Sequence, residues 1–570
     1  LLIQRRLVPE VPLLQDTRLH PVLRRVYAAR GAQCLHDLDL SLSGLLRPEL
    51  GGIEIALDLL LAARKAQSSV LVVGDFDADG ATGTAAAIRG LRLLGFQRLA
   101  YRVPNRFLHG YGLSPALVEE LQPAPDIILT VDNGVAAHAG IQAAHARGIR
   151  VLVTDHHLPG DSLPAADALV NPNAPGCSFP SKALAGVGVV FYLLLALRAR
   201  LRDSGEFAGA PPDLGSLLDL VALGTVADLV PLDRNNRLLV QAGLKRIRAG
   251  RGCAGIRALY RVAGRDPSRA SATDFGFVLG PRINAAGRLE DMALGIECLL
   301  ADTDSLAFEL AQRLQALNVE RRDLQQQMVE QAEAAVLRAD LSAQSHVAAG
   351  VALADAGWHA GVIGLVASKL KERLHRPVFA LAPGDDDGRE WKGSGRSIPG
   401  FHLRDCLAEI DSRNPGLLIR FGGHAMAAGL SIAGSRVEDF LRAFADTVER
   451  RIDPVLLAPV MHTDGALEAA DFQLDLAEIL REAGPWGQAF PEPLFDNEFE
   501  VVDWKVLGER HLRLSLRHPG SRLPLPAIHF GGWTGQPPAA RVQVAYQLGS
   551  DEYRGSRDLR LFVRHLSSIE

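Results

Sequence analysis

The sequence predicts an α/β fold: a parallel-sheet domain, a long helix, a smaller α/β unit and a β-rich carboxyl-terminal domain. Three observations predict it. Short apolar runs alternate with alanine-rich helical stretches between residues 68 and 155; residues 303 to about 340 contain no Gly or Pro; and from Phe499 onward apolar and polar residues alternate. Strands alternating with helices imply a parallel sheet covered on both faces.

Each element follows in order. Residues 1–50 are Leu-rich and read as short helices. Residues 51–302 form the parallel-sheet domain. Its apolar runs are Val70–Val73, Ile127–Val131 and Val151–Val153, with helical stretches at 81–94 and 135–147. Residues 303–345 read as one helix, with Leu310, Leu314, Leu317, Leu324 and Met328 at spacings of three, four and seven. At 1.5 Å per residue the stretch of about 38 residues from 303 to about 340 spans about 57 Å, enough to bridge two domains; two shorter helices with an unseen break are the alternative. Residues 346–455 start a second α/β unit, with Val347–Ala354 as its first strand and glycine-rich turns at 393–397 and 422–423. Residues 456–570 open with a proline-bearing linker and continue as a small β-barrel or sandwich. The runs Leu512–Leu516, Val542–Tyr546 and Arg560–Val563 supply its strands.

Composition narrows the function. Sixty-one basic against 66 acidic residues give a net charge of −5, which excludes a wholly electrostatic, histone-like binder but not a local basic stripe. The five cysteines, Cys34, Cys177, Cys253, Cys298 and Cys406, are scattered and form no Cys-x-x-Cys. That argues against a disulfide scaffold or zinc ribbon and for a reducing cytoplasm. Neither a membrane span nor a secretory signal is expected.

In parallel α/β sheets, chemistry collects at the carboxyl ends of strands. Here each apolar run ends in acidic or imidazole residues. Asp75, Asp77 and Asp79 follow the first, Asp132 the second, and Asp155, His156 and His157 the third; Asp228 follows another apolar stretch. Three carboxylates in five residues repel one another unless a cation neutralises them. Taken alone, the cluster is equally an acidic turn, and Asp228 equally a helix cap. Together, carboxylates with imidazoles suit Mn²⁺ or Mg²⁺, and two such ions can activate water on a phosphate ester.

These motifs, Asp-Phe-Asp-Ala-Asp-Gly, Val-Asp-Asn-Gly and Thr-Asp-His-His, resemble those of the DHH phosphoesterase superfamily. The later segments Pro281–Arg288, Gly395–Gly400 and Phe421–His424 resemble its nuclease branch, the RecJ family. The resemblance implies a DHH catalytic domain, a DHH-associated substrate-binding domain and an OB-fold nucleic-acid-binding barrel. It implies that Asp75 and Asp77 bind one metal, that Asp79, His156 and Asp228 bind a second, and that Asp132 bridges both. Asp155 would orient a ligand and His157 would face the scissile phosphate. Arg282 and Asn284 would line the substrate path. Ser394, Arg396, Gly422, Gly423 and His424 would grip phosphates, and Arg106 would help hold the terminal one. A surface salt bridge or an ordinary tight turn is the alternative for each of these last groups.

The implied activity is metal-dependent hydrolysis of single-stranded DNA from an end, 5′ to 3′, to mononucleotides, in DNA repair and recombination. Implied partners are single-stranded DNA, single-strand-binding protein and a RecQ-type helicase, with the chain a monomer. In the barrel, Arg510, His511, Arg513, Arg517 and His518 give a basic strand pair, and Trp533, Tyr546 and Tyr553 are either stacking residues or core. Two rivals are weighed. A small-substrate member such as a pyrophosphatase, nano-RNA hydrolase or cyclic-dinucleotide phosphodiesterase needs neither barrel nor long helix. A non-catalytic DNA-binding relative would lack metal ligands, and none is missing here.

Overall fold

The computed structural model describes residues 1–105, 110–343, 348–385, 387–553 and 556–569. The chain forms two compact units: one gathers residues 2–102, 112–280 and 460–570, and the other is built mainly from 281–459.

The first unit begins with a strand, β1 (Leu2–Arg5), where short helices were expected; a helix follows at Pro21–Ala28. Its central sheet comprises β2 (Val70–Gly74), β3 (Leu99–Arg102), β4 (Ile127–Val131), β5 (Arg150–Thr154) and β6 (Ala168–Val170). All pairs are parallel, in the order β3-β2-β4-β5-β6. Every residue of β2 and β4 is buried, as their unbroken apolar runs require of strands covered on both faces. The chain moves from β2 outward to β3, then returns to place β4 on the other side of β2. That reversal is a topological switch point, and it lies between the carboxyl ends of β2 and β4. Helices Ala78–Leu93, Gly186–Asp203 and Leu218–Ala227 pack on one another beside it. Their approach is close: a Cβ on Gly224 would lie 2.2 Å from Thr82 Oγ1.

In the second unit, Asp304–Ala343 is a single helix of 40 residues, so the alternative of two shorter helices does not hold. Leu310 and Leu314 are buried near its start, and Met328 and Ala332 pack against Val362, Val366 and Leu370. The sheet contains β7 (Val351–Ala354), β8 (Val378–Pro383), β9 (Glu390–Arg396), β10 (Leu418–Gly423) and β11 (Ala427–Ala433), in the order β10-β11-β9-β8-β7. Only β7 and β8 are parallel. Strand β7 is shorter than expected, and Val347 lies outside the described residues. Phe379, Phe440 and Phe444 anchor the core of this unit edge to face.

The chain then returns to the first unit. Strand β12 (Val460–Thr463) pairs in parallel with β1, so the expected linker is ordered structure and explains the amino-terminal strand. The remaining strands, β13 (Phe495–Leu507), β14 (His511–Arg517), β15 (Leu525–His529), β16 (Arg541–Tyr553) and β17 (Ser556–Ser568), close a barrel in the order β13-β14-β15-β17-β16. Tyr546 is fully buried in it, with its hydroxyl donating to Asn497 Oδ1 at 2.7 Å, and so is core rather than a stacking residue. His518 packs on Phe472 and Phe499. No helix among the described residues is long and apolar enough to cross a membrane.

Candidate two-metal centre

Strand register builds the site. Gly74 pairs with Val131 and Val131 with Thr154, so Asp75, Asp132 and Asp155 emerge side by side from adjacent strands. Asp132 adopts a left-handed conformation, φ 62°, which Asp tolerates better than most residues and which turns the chain sharply at the switch point. Asp77 is the N-cap of helix Ala78–Leu93 and accepts from Gly80 N at 3.0 Å. Asp79 lies in that helix's first turn, fully buried. It accepts 2.6 Å and 3.0 Å bonds from the backbone N–H of Gly186 and Val187, the first two residues of helix Gly186–Asp203. A helix amino terminus stabilises negative charge there. Asp228 follows a helix, Leu218–Ala227, rather than a strand, and occupies its C-cap.

Three ligand sets result, each with its atoms within 4.8 Å of one another: Asp75, Asp77 and Asp132; Asp79, His156 and Asp228; and Asp132, His156 and His157. Asp132 belongs to two of them, at the junction. The electrostatics fit divalent cations. Burial, then the charges of Asp79, Asp77, Asp228 and Asp75, hold Asp132 well above the usual carboxylate range, and Asp228 is raised the same way. Asp79 is pushed up to about 7 by burial and by Asp77, against the two backbone N–H bonds. Such like charges in low dielectric are disfavoured unless protons or a counter-ion neutralise them, and a divalent cation does so for several at once. His156 is lowered to about 4 by burial and by its neighbour His157, so its imidazole is neutral, as a ligand must be. Its Nε2 lies 3.0 Å from Asp132 Oδ1 and 3.5 Å from Asp228 Oδ2, yet lacks hydrogen-bond geometry to any partner. A buried nitrogen aimed at carboxylates without a proton between them is an arrangement that a metal ion satisfies.

Asp155 plays a different part. Its Oδ1 accepts from the His156 and His157 N–H groups and from His157 Nδ1 at 2.7 Å, and its Oδ2 accepts from Val135 N. Burial opposes its ionisation, but these bonds outweigh burial and depress its pKa. His157 moves the other way: burial lowers it, and the Asp155 bond with the charges of Asp155, Asp75 and Asp77 raises it overall.

Three asparagines that sequence reasoning passed over hold the ligand-bearing loops. Asn133 Nδ2 donates to Val73 O and Val131 O, tying the end of β2 to the end of β4. After β6, Asn171 Nδ2 donates to His157 O at 2.8 Å and Asn173 Nδ2 to His156 O at 2.6 Å. The Asn-Pro-Asn run at a strand end was the available signal. Replacing Asn173 by Ala releases the His156 backbone, and Mn²⁺ affinity by isothermal titration calorimetry should fall about 10–100-fold. An unchanged titration would remove Asn173 from the site.

The second unit gathers its own cluster. Ser394 and Gly422 both face Gly429 across neighbouring strand pairs, Arg396 pairs with Ala427, and Gly423 with Ala428. Gly423, the last residue of β10, has φ 135° and no room for a Cβ, and His424 N donates to Ala427 O at 2.8 Å. Arg396 is largely buried, donates to Ser394 Oγ and Gly395 O, and pairs with no carboxylate among the described residues. A Cβ on Gly364, in the first turn of helix Ile363–Leu374, would lie 2.9 Å from Ser394 Oγ and 3.1 Å from Arg396 Nη2. A buried cation beside a helix amino terminus suits an anionic oxygen; Gly364 escaped sequence reasoning. Arg282 and Asn284 sit on helix Gly280–Leu289, and residues two apart on a helix do not share a face. Arg282 Nε donates to Gln315 Oε1. Arg106 lies outside the described residues.

Comparison with known proteins adds to this geometry. Residues 69–225 match the DHH family, N-terminal domain, residues 344–450 the DHHA1 domain and residues 463–565 the RecJ OB domain. The chain is 49% identical to the single-stranded-DNA-specific exonuclease RecJ of Salmonella typhimurium, covering 96% of this chain and 95% of that protein. It is 48% identical to the Escherichia coli RecJ over 100% of this chain and 99% of that one. The crystal structure of Thermus thermophilus RecJ in complex with Mn²⁺ superposes with a TM-score of 0.81 at 30% identity, covering 100% of this chain and 80% of that one. The corresponding Mg²⁺ complex gives 0.76 at 29% identity, covering 100% and 79%.

Proposed function

The chain belongs to the RecJ family of single-stranded-DNA-specific exonucleases, and from that premise we propose how its own residues carry out the reaction. The protein is a metal-dependent exonuclease that degrades single-stranded DNA, with Mn²⁺ or Mg²⁺ as its metal, in DNA repair and recombination. The carrying observation is a continuous run of ligand sets: Asp132 links Asp75 and Asp77 to His156, and His156 in turn meets Asp79 and Asp228. Asp75 and Asp77 hold one ion, Asp79, His156 and Asp228 the other, and Asp132 both. Two bound ions supply Lewis acidity that activates water and neutralises charge on the phosphodiester.

The protein's groups do the rest. Asp155 fixes the His157 ring through Nδ1, which leaves Nε2 to stabilise charge developing on the scissile phosphate. The amino terminus of helix Gly186–Asp203 holds Asp79 in one orientation. Arg396, Ser394, Gly422, Gly423 and His424 bind phosphate oxygens of the strand, with Arg282, Asn284 and Arg106 contributing along its path. Cleavage runs 5′ to 3′ and releases mononucleotides. By the same family reading the enzyme works as a monomer in the cytoplasm, with single-strand-binding protein and a RecQ-type helicase as partners. The domain limits proposed are 51–302, 346–455 and 456–570, with 303–345 between the first two.

A gel assay tests this reading. Single-stranded DNA with a 5′ phosphate and a 3′ label should shorten progressively in Mn²⁺ and stay intact in EDTA. Intact DNA alongside cleavage of a dinucleotide or pyrophosphate would transfer the assignment to the small-substrate members of the superfamily. Label released as a mononucleotide at the outset would reverse the direction.

A further inference from the structure

One irregular segment reaches every member of a single ligand set, Asp79, His156 and Asp228. It runs from Asn171, just after β6, to Val187, at the start of helix Gly186–Asp203. At its beginning, Asn173 Nδ2 holds the His156 carbonyl; near its end, the Leu184 backbone hydrogen-bonds the His156 ring itself. The N–H groups of Gly186 and Val187 hold Asp79. Asp228 is reached through Asn236 on helix Arg234–Arg248. Asn236 Nδ2 donates to Ala183 O at 2.6 Å and to Pro231 O at 2.9 Å, which ties the segment to the chain just past Asp228. Ser181 adds a latch to the same helix, its Oγ donating at 2.6 Å to Asp233 Oδ2, while Asp233 Oδ1 caps the helix. Asp75 and Asp77 are held differently: their oxygens accept from nearby chain, Phe76 N and Gly80 N. Gly186 also lies against Asp132, but Asp132 takes its conformation from the end of β4.

Residues 171–185 form neither helix nor strand. A stretch of that length keeps one conformation only if something fastens it, because each ordered residue costs backbone entropy. Lys182 is the fastening. Its Nζ donates to Pro172 O and to Cys177 O, both at 2.6 Å, and its own carbonyl accepts from Asn173 Nδ2 at 3.2 Å. Two carbonyl oxygens from different parts of the loop thus converge on one ammonium, which draws the end of the loop onto its beginning. A compact ammonium with three rotatable donors suits carbonyls that approach from diverging directions. Asn173 Nδ2 is shared between Lys182 O and His156 O, so the fastening stands one hydrogen-bonding group away from a metal ligand. We infer that Asn171–Val187 is a scaffold dedicated to the ion of Asp79, His156 and Asp228, and that Lys182 is the positioning residue that keeps it closed. This rests on the two-metal reading and deepens it: the two ions are held by separately built halves of the centre, and the half that depends on Lys182 can be loosened alone.

Isothermal titration calorimetry of the full-length protein with Mn²⁺ tests the scaffold. Lys182→Met keeps the apolar stem and removes the donors. It should weaken one of two binding events about 10–100-fold and leave the other within about twofold of wild type. The weakened event should be the one missing from Asp228→Asn, and the retained event the one missing from Asp75→Asn. The Mn²⁺ concentration for half-maximal exonuclease activity should rise by the same factor. Lys182→Arg, which restores a cation and several donors, should recover part of the affinity. A Lys182→Met protein that melts earlier in EDTA yet keeps both affinities would overturn the proposal, because a fastening that serves the fold alone does not select between ions. Equal weakening of both events would overturn it as well. Should Lys182→Met fail to fold, Ser181→Ala, which removes only the latch to Asp233, carries the same selective prediction at smaller size. A wild type that takes up no Mn²⁺ and cuts no single strand would sink the two-metal reading itself.

Discussion

Replacing Asp132 by Asn should abolish exonuclease activity, by about 10⁴-fold or more, and at the same time raise the melting temperature of the protein in EDTA. The first effect follows from the position of Asp132 between Asp75 and Asp77 on one side and His156 on the other: under the proposed assignment its loss would disturb both ions, and groups that act as a unit fail together. The second follows from burial. Asp132 is raised well above the carboxylate range by desolvation and four neighbouring aspartates, so its ionisation opposes folding. A carboxylate raised in the folded state lowers stability above its unfolded pKa of about 3.9, and that penalty disappears below it. The gain from Asn should therefore be present at neutral pH and vanish near pH 3. Asn also accepts the left-handed backbone at φ 62°. Differential scanning calorimetry in EDTA at both pH values checks the sign. A variant destabilised at neutral pH would mean that the carboxylates are neutralised by the protein itself and that no ion is required.

The largest stability loss is expected far from the metal ligands, at Asp464. Its oxygens accept from Arg30 Nη1 at 2.7 Å and Nη2 at 3.0 Å and from Leu494 N at 3.0 Å. Both side chains of the pair are 1% exposed. Asp464→Ala leaves a buried guanidinium without its counter-charge, and breaking such a pair costs about 3–5 kcal/mol. Arg30 also lies over the Trp486 ring, so it is fixed where it is and has no route to solvent without disturbing that packing. Urea denaturation monitored by tryptophan fluorescence measures the loss. The double variant Arg30→Met, Asp464→Leu should recover most of it, because an apolar pair of similar volume avoids the desolvation cost. A double variant as weak as Asp464→Ala would show that the site depends on packing rather than charge.

Legibility in the sequence tracked how local each determinant is. Strands β2, β4 and β5 are short apolar runs buried on both faces, so their ends, and the acidic residues there, could be read directly. Asp228 was harder. Residues 218–227 are apolar all round because their helix is buried all round, and periodicity then cannot separate helix from strand. Asn133, Asn171 and Asn173 left almost no trace, since a side-chain amide that holds a distant carbonyl has no repeat and no fixed spacing. The amino-terminal strand was misread for the same reason: its partner lies more than 450 residues away, at Val460–Thr463.

That last pairing has a consequence for synthesis. All six proposed metal ligands have been synthesised by residue 228, but β1 has no partner until residue 460 and Arg30 no counter-charge until residue 464. Tyr27 likewise waits for Trp486, whose ring stacks on it, and for Phe490, whose ring lies tilted beside it. The catalytic half of the nascent chain therefore carries an open apolar face and an Arg30 without its counter-charge through most of translation, the period in which chaperones act. Cutting the gene before residue 460 would not give a nuclease that merely grips DNA less well. It would remove the last strand, ion pair and aromatic stack that close the unit, and the truncated product should accumulate in inclusion bodies.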